Sequence, residues 1–572
     1  MRTRLLIPLI SCVISLGAFA AQPLSHAMPK GAIGYVELNG LGKKLIQLRD
    51  SDGLKTLLAS PQYKKLVRNP DFNKVLAGKA LVEGTLGMDL WTAADKLLNE
   101  VALGIYPDAN GELKPVLMFR MQGAEALTKV RNMVNAVITL ADNENVKREK
   151  EGDLEIINLD NNFFVAFQKD WVAAAGSRAL LDQAVAGLSG RGGKSMAEDL
   201  VYKKAQKKLA GPHLARGFFN LPAYAKLYNQ PIEAPGKMSD GGGSLFFHGI
   251  IALAADSPYL GLTLDTDESG FSLVGAIEGD VKAAREKYGW FLSDPGTPGT
   301  RDIPRVDGLM GGITIHRNIG SWYLNREDIL EEHLMAGFDE FEAGLGQFFP
   351  SQDVGEDIMP AIGSTLTLLA AKQTFEHFDG EPGIKLPGFA LIFDLDKPEN
   401  GGLFQLVFQT VVTIFNLTSA EQGLNREPSV MTAVVHKGVP INIVQFLKKP
   451  KAERLDISYN FMPCATTVNG RFVFCTSLKL CKALVEEMAK PQDPKRVNRN
   501  FNFELYPSAL SGLVKVNRRT LVAQRIQQGK TNDEANSEID LVDNLLQYVK
   551  LLRLSTSVKK DGFQLQLEGQ WK

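Results

Sequence analysis

Two stretches of this chain, 300 positions apart, carry the same local pattern. Asp170-Trp171-Val172-Ala173-Ala174-Ala175-Gly176-Ser177 and Gly470-Arg471-Phe472-Val473-Phe474-Cys475-Thr476-Ser477 each read as a turn, a short strand and a serine placed to cap a helix. The offset runs on into the helices, where Leu180 matches Leu480 and Val185 matches Val485. Self-similarity at a fixed spacing restricts the fold strongly, because whatever architecture one half adopts, the other must be able to adopt.

The remaining parts correspond in the same order. Gly34-Tyr35-Val36-Glu37-Leu38 matches Gly312-Ile313-Thr314-Ile315 as an opening strand. Gly87-Met88-Asp89 matches Gly355-Glu356-Asp357, ahead of strands predicted over 101–105 and 365–369. Strands over 115–121 and 388–395 follow, each leading into a long apolar helix pattern, 124–140 or 401–417. Both halves close on a hairpin, 261–265 with 270–277 and 553–557 with 562–567. Hairpin-joined strands interleaved with helices predict an α+β fold of two tandem diverged repeats, each an antiparallel-rich sheet covered by helices. The Pro- and Gly-dense run 293–300 reads as a linker. The predicted organisation is a signal peptide over 1–20, a first unit over 21–292, a linker over 293–305 and a second unit over 306–572. Roughly two to four domains suit this length.

The signal peptide rests on Arg2 and Arg4, an apolar run over 5–19 and the small-residue triplet Ala18-Phe19-Ala20, with cleavage near Ala21. The run falls short of the ~20 residues of a permanent span and contains Pro8. Leu9-Ile10-Ser11-Cys12 has the residue types of a lipid-attachment box, but apolar residues continue past it, so Cys12 reads as part of the signal. Downstream, the longest apolar stretch, 403–417, is interrupted by Gln405, Gln409, Thr410 and Thr413 and reads as a buried helix. No transmembrane span is predicted, and the mature chain is expected outside the cytoplasm, periplasmic or secreted. Its formal charge of −1 becomes −3 once Arg2 and Arg4 leave with the signal, so no nucleic-acid partner is expected.

Three cysteines remain, Cys464, Cys475 and Cys481. Asn469-Gly470 predicts a two-residue type I′ hairpin turn, because both central positions of that turn need positive φ. The turn sets Cys464 opposite Cys475. A cross-strand bridge, a Cys475–Cys481 bridge from strand to helix, and free buried thiols all remain open at this point.

The signal peptide, the early strand after Met28-Pro29-Lys30-Gly31-Ala32 and the repeated strand–Ser–helix unit together resemble a family of exported bacterial proteins catalogued only as a domain of unknown function. The resemblance covers most of the mature chain and implies location and fold. It carries over no functional residues.

Motifs that carry chemistry are weak. Gly187-Leu188-Ser189-Gly190-Arg191-Gly192-Gly193-Lys194-Ser195 ends like a phosphate loop, but the required first glycine is Leu188 and a helix precedes it, so a flexible loop is expected. Asp265-Thr266-Asp267-Glu268-Ser269-Gly270 opens like a calcium loop, yet its twelfth position is Ala276, which favours a solvated hairpin turn. Asp394 and Asp396 alternate as a carboxylate pair on one strand would. His26, His213, His248, His316, His333, His377 and His436 lack metal spacing. The lysine clusters Lys203, Lys204, Lys207 and Lys208, and Lys448, Lys449 and Lys451, could attract anionic lipid or polysaccharide, but the helix-spaced first cluster reads as a solvated face and the overall charge is not basic. No catalytic, metal or cofactor residue is assigned. The reading is an exported, non-catalytic binding or scaffolding protein of unknown ligand and partner, with an envelope-associated protein or an apolar ligand as the candidates. An apolar-ligand or lipid carrier is the alternative, suggested by the helices at 124–140 and 401–417 and by Leu245-Phe246-Phe247. An envelope hydrolase assembled only in three dimensions is the third reading.

Overall fold

The structure, a computed structural model, describes residues 23–67, 70–140, 146–159, 162–234, 236–295, 297, 299–346, 352–375, 379–421, 429–446, 453–491 and 498–572. The predicted signal peptide, His377, Lys448, Lys449 and Lys451 lie outside them. The chain is mixed α+β and divides into two compact units. Unit 1 takes residues up to Asp50, Pro70–Gln230 and Gly261–Thr263; unit 2 takes Ser51–Asn69, Pro231–Leu260 and Leu264–Lys572.

Unit 1 contains β1 (Gly34–Asn39), β2 (Glu100–Pro107), β3 (Leu113–Arg120), β4 (Lys147–Glu151), β5 (Leu154–Leu159), β6 (Phe163–Gln168), β7 (Trp171–Ala175) and β8 (Ala215–Asn220). They lie antiparallel in the order β8-β1-β2-β3-β7-β6-β5-β4. The Ala124–Leu140 helix packs Leu127 and Val130 against Phe167, Val172 and Ala174. Next in the chain come β9 (Tyr259–Thr266) and β10 (Gly270–Glu278).

In unit 2, β10 is joined by β11 (Leu309–His316), β12 (Ile362–Ala371), β13 (Glu381–Pro382), β14 (Gly388–Leu395), β15 (Ser429–His436), β16 (Val439–Phe446), β17 (Arg454–Leu455), β18 (Cys464–Val468), β19 (Arg471–Cys475), β20 (Phe501–Leu505), β21 (Val549–Lys559) and β22 (Gly562–Trp571). Apart from a short parallel β13–β17 pair, they run antiparallel as β15-β16-β18-β19-β14-β12-β11-β20-β21-β22-β10. Asn469 and Gly470 sit at φ 50° and 69°, as the predicted I′ turn requires, and Lys437-Gly438 turns β15 into β16 the same way.

Two expectations need correction. Ser177 accepts from the Leu180 amide at 3.3 Å, but Ser477 makes no side-chain cap to its helix, Leu478–Met488. The Gly401–Glu421 helix is not buried all round: Phe404 and Phe408 enter the core while Val411 and Leu417 are 55% and 60% exposed. Residues of the predicted 293–305 linker make contacts within unit 2. There Ser293 N–H donates to Asn500 Oδ1 at 2.9 Å, Arg301 pairs with Asp394 at 2.7 Å, and Ile303 joins the core.

Candidate functional site

Residues directly opposite one another in an antiparallel sheet project to the same face. In unit 2 the register lines up Leu273, Leu567, Leu554, Phe503, Ile313, Leu368, Leu391 and Phe474 across consecutive strands. A neighbouring row on that face runs Leu552, Leu505, Gly311, Ala370 and Phe389. Neither row contains a charged residue. At one end the face is closed by the Gly401–Glu421 helix, whose Phe404 ring lies 4.7 Å from Phe393 and whose Phe408 ring lies 5.9 Å from Phe474. Beyond that helix it is open: Leu368 is 48% exposed, and Leu391, Phe389 and Leu565 are exposed with it.

Where β11, β12 and β14 end, a cleft of about 380 Å³ begins. Its apolar lining includes Met310, Phe375, Leu386, Leu513 and Val516. Lys372, Lys385, Asp379 and Glu381 supply its charge, with Lys385 Nζ paired to Glu381 at 2.5 Å. This volume lies in the range of small-molecule sites, and apolar walls with a few polar groups are their usual lining.

The opposite face of the same strands is chemically different. Glu504, 1% exposed, holds Arg305 at 2.6 Å and Arg553 at 3.2 Å, and accepts from Tyr506 Oη at 2.6 Å. Arg305, Arg471, Arg499 and Arg553 line a cleft of about 390 Å³ there. Arg471 donates to Met488 O at 3.2 Å while its Nε has no hydrogen-bond partner among the described residues, and burial pulls its guanidinium down to about 10.

Farther along that face, Cys464 and Cys475 stand opposite each other and Cys481 joins them from the Leu478–Met488 helix. Their sulfur atoms all lie within 4.8 Å of one another, in full burial. All three are free thiols, so of the readings left open by the sequence the structure carries neither bridge. Hydrogen bonds from Cys464 and Cys475 draw the Cys481 thiol down to about 5, while burial pushes Cys475 up.

The sequence motifs fall elsewhere. The phosphate-loop look-alike follows the Arg178–Leu188 helix and leads into a short 3-10 turn, Met196–Glu198, without the strand such a loop needs. Asp267 Oδ1 is taken up by the amides of Ser269 and Gly270 at 2.8 and 2.9 Å, which makes the calcium-like string a hairpin turn. Asp394 is engaged by Arg301, and Asp396 is exposed beyond the end of β14. His436 meets Glu486 at 2.8 Å and His333 meets Glu331 at 3.3 Å, while the His248 ring packs at a tilt against Tyr288, centroids 4.8 Å apart. Lys203, Lys204 and Lys207 are solvated.

Sequence reading missed the open face because β14, Gly-Phe-Ala-Leu-Ile-Phe-Asp-Leu, is apolar at nearly every position. Such a run signals a strand buried on both sides. Only the register reveals that Phe389 and Leu391 share a face with Leu368.

No family model and no curated protein matches the chain. Among solved structures, crystal forms III and I of a protein designated TP0453 match at a TM-score of 0.24 and 10% identity. They cover 45% and 46% of this chain and 80% and 81% of theirs. At that score the likeness is weak and partial. Among the described residues no helix is long and apolar enough to cross a membrane.

Proposed function

We propose that this is an exported, non-catalytic binding protein that holds a small apolar ligand, such as a hydrocarbon chain, on the open sheet face of unit 2 and in the adjoining cleft. The observation that carries the reading is the charge-free row from Leu273 to Phe474, open at Leu368 and Leu391. Leaving large apolar side chains in water forgoes about 25 cal/mol for every Å² kept from burial, and contiguous patches of this kind mark binding surfaces. The cleft favours a small molecule over a flat protein partner, since it offers concave apolar walls.

The reading includes a tandem duplication of the sequence, with repeats over 21–292 and 306–572 whose bounds differ from those of the two compact units, an origin in an exported bacterial family and a periplasmic or secreted location. Support for the duplication comes from strand order. β8-β1-β2-β3-β7-β6-β5-β4 reads element for element as β20-β11-β12-β14-β19-β18-β16-β15. In unit 1, the row Val36, Leu103, Leu117 and Ala174 corresponds to Ile313, Leu368, Leu391 and Phe474, and Val36 and Leu103 are exposed there too.

Native mass spectrometry of protein purified without detergent tests the function. A bound hydrocarbon-containing adduct, released by organic solvent, is the expected result. An adduct-free spectrum that stays so after incubation with fatty acids and phospholipids would contradict it and favour a scaffolding role.

A further inference from the structure

We propose that Cys464, Cys475 and Cys481 form a three-coordinate thiolate site for a soft monovalent metal ion of the copper(I) class. The first ground is convergence. Two sulfur ligands come from facing positions of a tight hairpin and the third from the helix that follows, and all three are mutually within 4.8 Å. Soft thiolate donors select copper(I), zinc and iron–sulfur centres.

The second ground is a comparison of hairpins. Register places Phe164 opposite Ala175 in the β6–β7 hairpin, as Cys464 lies opposite Cys475, and the Arg178–Leu188 helix presents Leu181 where the later helix presents Cys481. Phe164, Ala175 and Leu181 are ordinary buried apolar residues. The arrangement therefore packs without sulfur, and unit 2 alone replaces three apolar positions with thiols that meet.

The start of the helix favours thiolate at one of the three positions. Cys481 lies in the first turns of its helix, where the partial positive charge of the free amides stabilises thiolate, and Ser477 does not cap those amides as Ser177 does.

The ligand count chooses the ion. Structural zinc takes four ligands. No fourth histidine, cysteine or carboxylate joins the group among the described residues, and nearby His436 is committed to Glu486. Leu369, Val473, Leu480 and Leu484 belong to the same buried cluster as the three cysteines, so the ion would be held by sulfur without water. On binding, S–H bonds are replaced by S–Cu bonds and the protons pass to solvent. No electron is transferred. The bound ion would also keep the thiols from forming a disulfide in an oxidising compartment.

The test titrates the reduced full-length chain anaerobically with copper(I) against a chromophoric copper(I) chelator, with X-ray absorption of the loaded protein. One ion per chain with three sulfur neighbours is expected. Cys481→Leu, which copies Leu181, should weaken binding at least about 100-fold while leaving the far-UV spectrum unchanged. Failure to compete with the chelator, or fewer than three sulfur neighbours in the wild-type protein, overturns the site whether or not the variant folds. So does a freshly isolated chain lacking two hydrogens and resisting alkylation at two cysteines, since that is a disulfide. None of these results bears on the apolar face.

Discussion

Ala390 and Leu391 are neighbours on β14, yet Ala390 is 1% exposed and Leu391 is 37% exposed. Ala390 and Ile392 face the Leu478–Met488 helix in a sealed core, together with Val473 and Cys475. Leu391 faces outward, in a row whose members are apolar across consecutive strands. The sealed face also carries the charges: Glu504, Arg553, Arg471 and Asp394 all project from it, and most of their charge is paired. A sheet that merely needed solubility would do the reverse, with charges on its open face. The difference teaches that apolar surface left open here is unexplained by solubility, as the proposed contact role requires.

Substitutions can sharpen that contrast. Phe393→Ala, beneath the Phe404 and Phe472 rings, should cost about 3–5 kcal/mol in urea unfolding, because it empties the closed end of the face. Ile392→Ala on the sealed side should cost about 2–5 kcal/mol, against less than about 1 for Leu391→Ala next to it. Equal costs at 391 and 392 would show that both sides are packed alike.

His316, at the end of β11, gives a pH dependence. Burial, helped by Arg317 and Arg285, lowers its imidazole to about 4. The unfolded chain therefore takes up a proton near the usual value of 6.5 that the folded chain refuses. Stability is full above pH 6.5, falls as pH drops from there toward 4, and levels off below. The loss amounts to up to about 3 kcal/mol. His316→Gln should flatten this part of the curve, and an unchanged curve would remove His316 as its source. The smallest effect concerns the helix starts: Ser177→Ala should cost about 1 kcal/mol through its lost cap, and Ser477→Ala should lack that contribution.

Much of the backbone was legible. The strand predicted over 388–395 is β14, the helix over 124–140 has those bounds, and the Asn469-Gly470 turn follows from residue types that tolerate positive φ. The Lys437-Gly438 turn was not foreseen, because lysine carries no such preference. Nor was the loss of the Ser477 cap, since a serine's position fixes the chance of a cap and not the rotamer that makes one. The open face stayed hidden for a deeper reason. Exposure depends on which helices cross a strand, and an unbroken apolar strand looks the same covered or bare.

The most direct measurement is the affinity of a fluorescent long-chain fatty acid for the wild-type protein and for Leu368→Asp/Leu391→Asp, with thermal unfolding of both. The account predicts saturable binding that falls at least about tenfold in the variant, with little change in stability because both side chains already meet water. Equal binding by the two proteins would contradict the assignment of this face as the site.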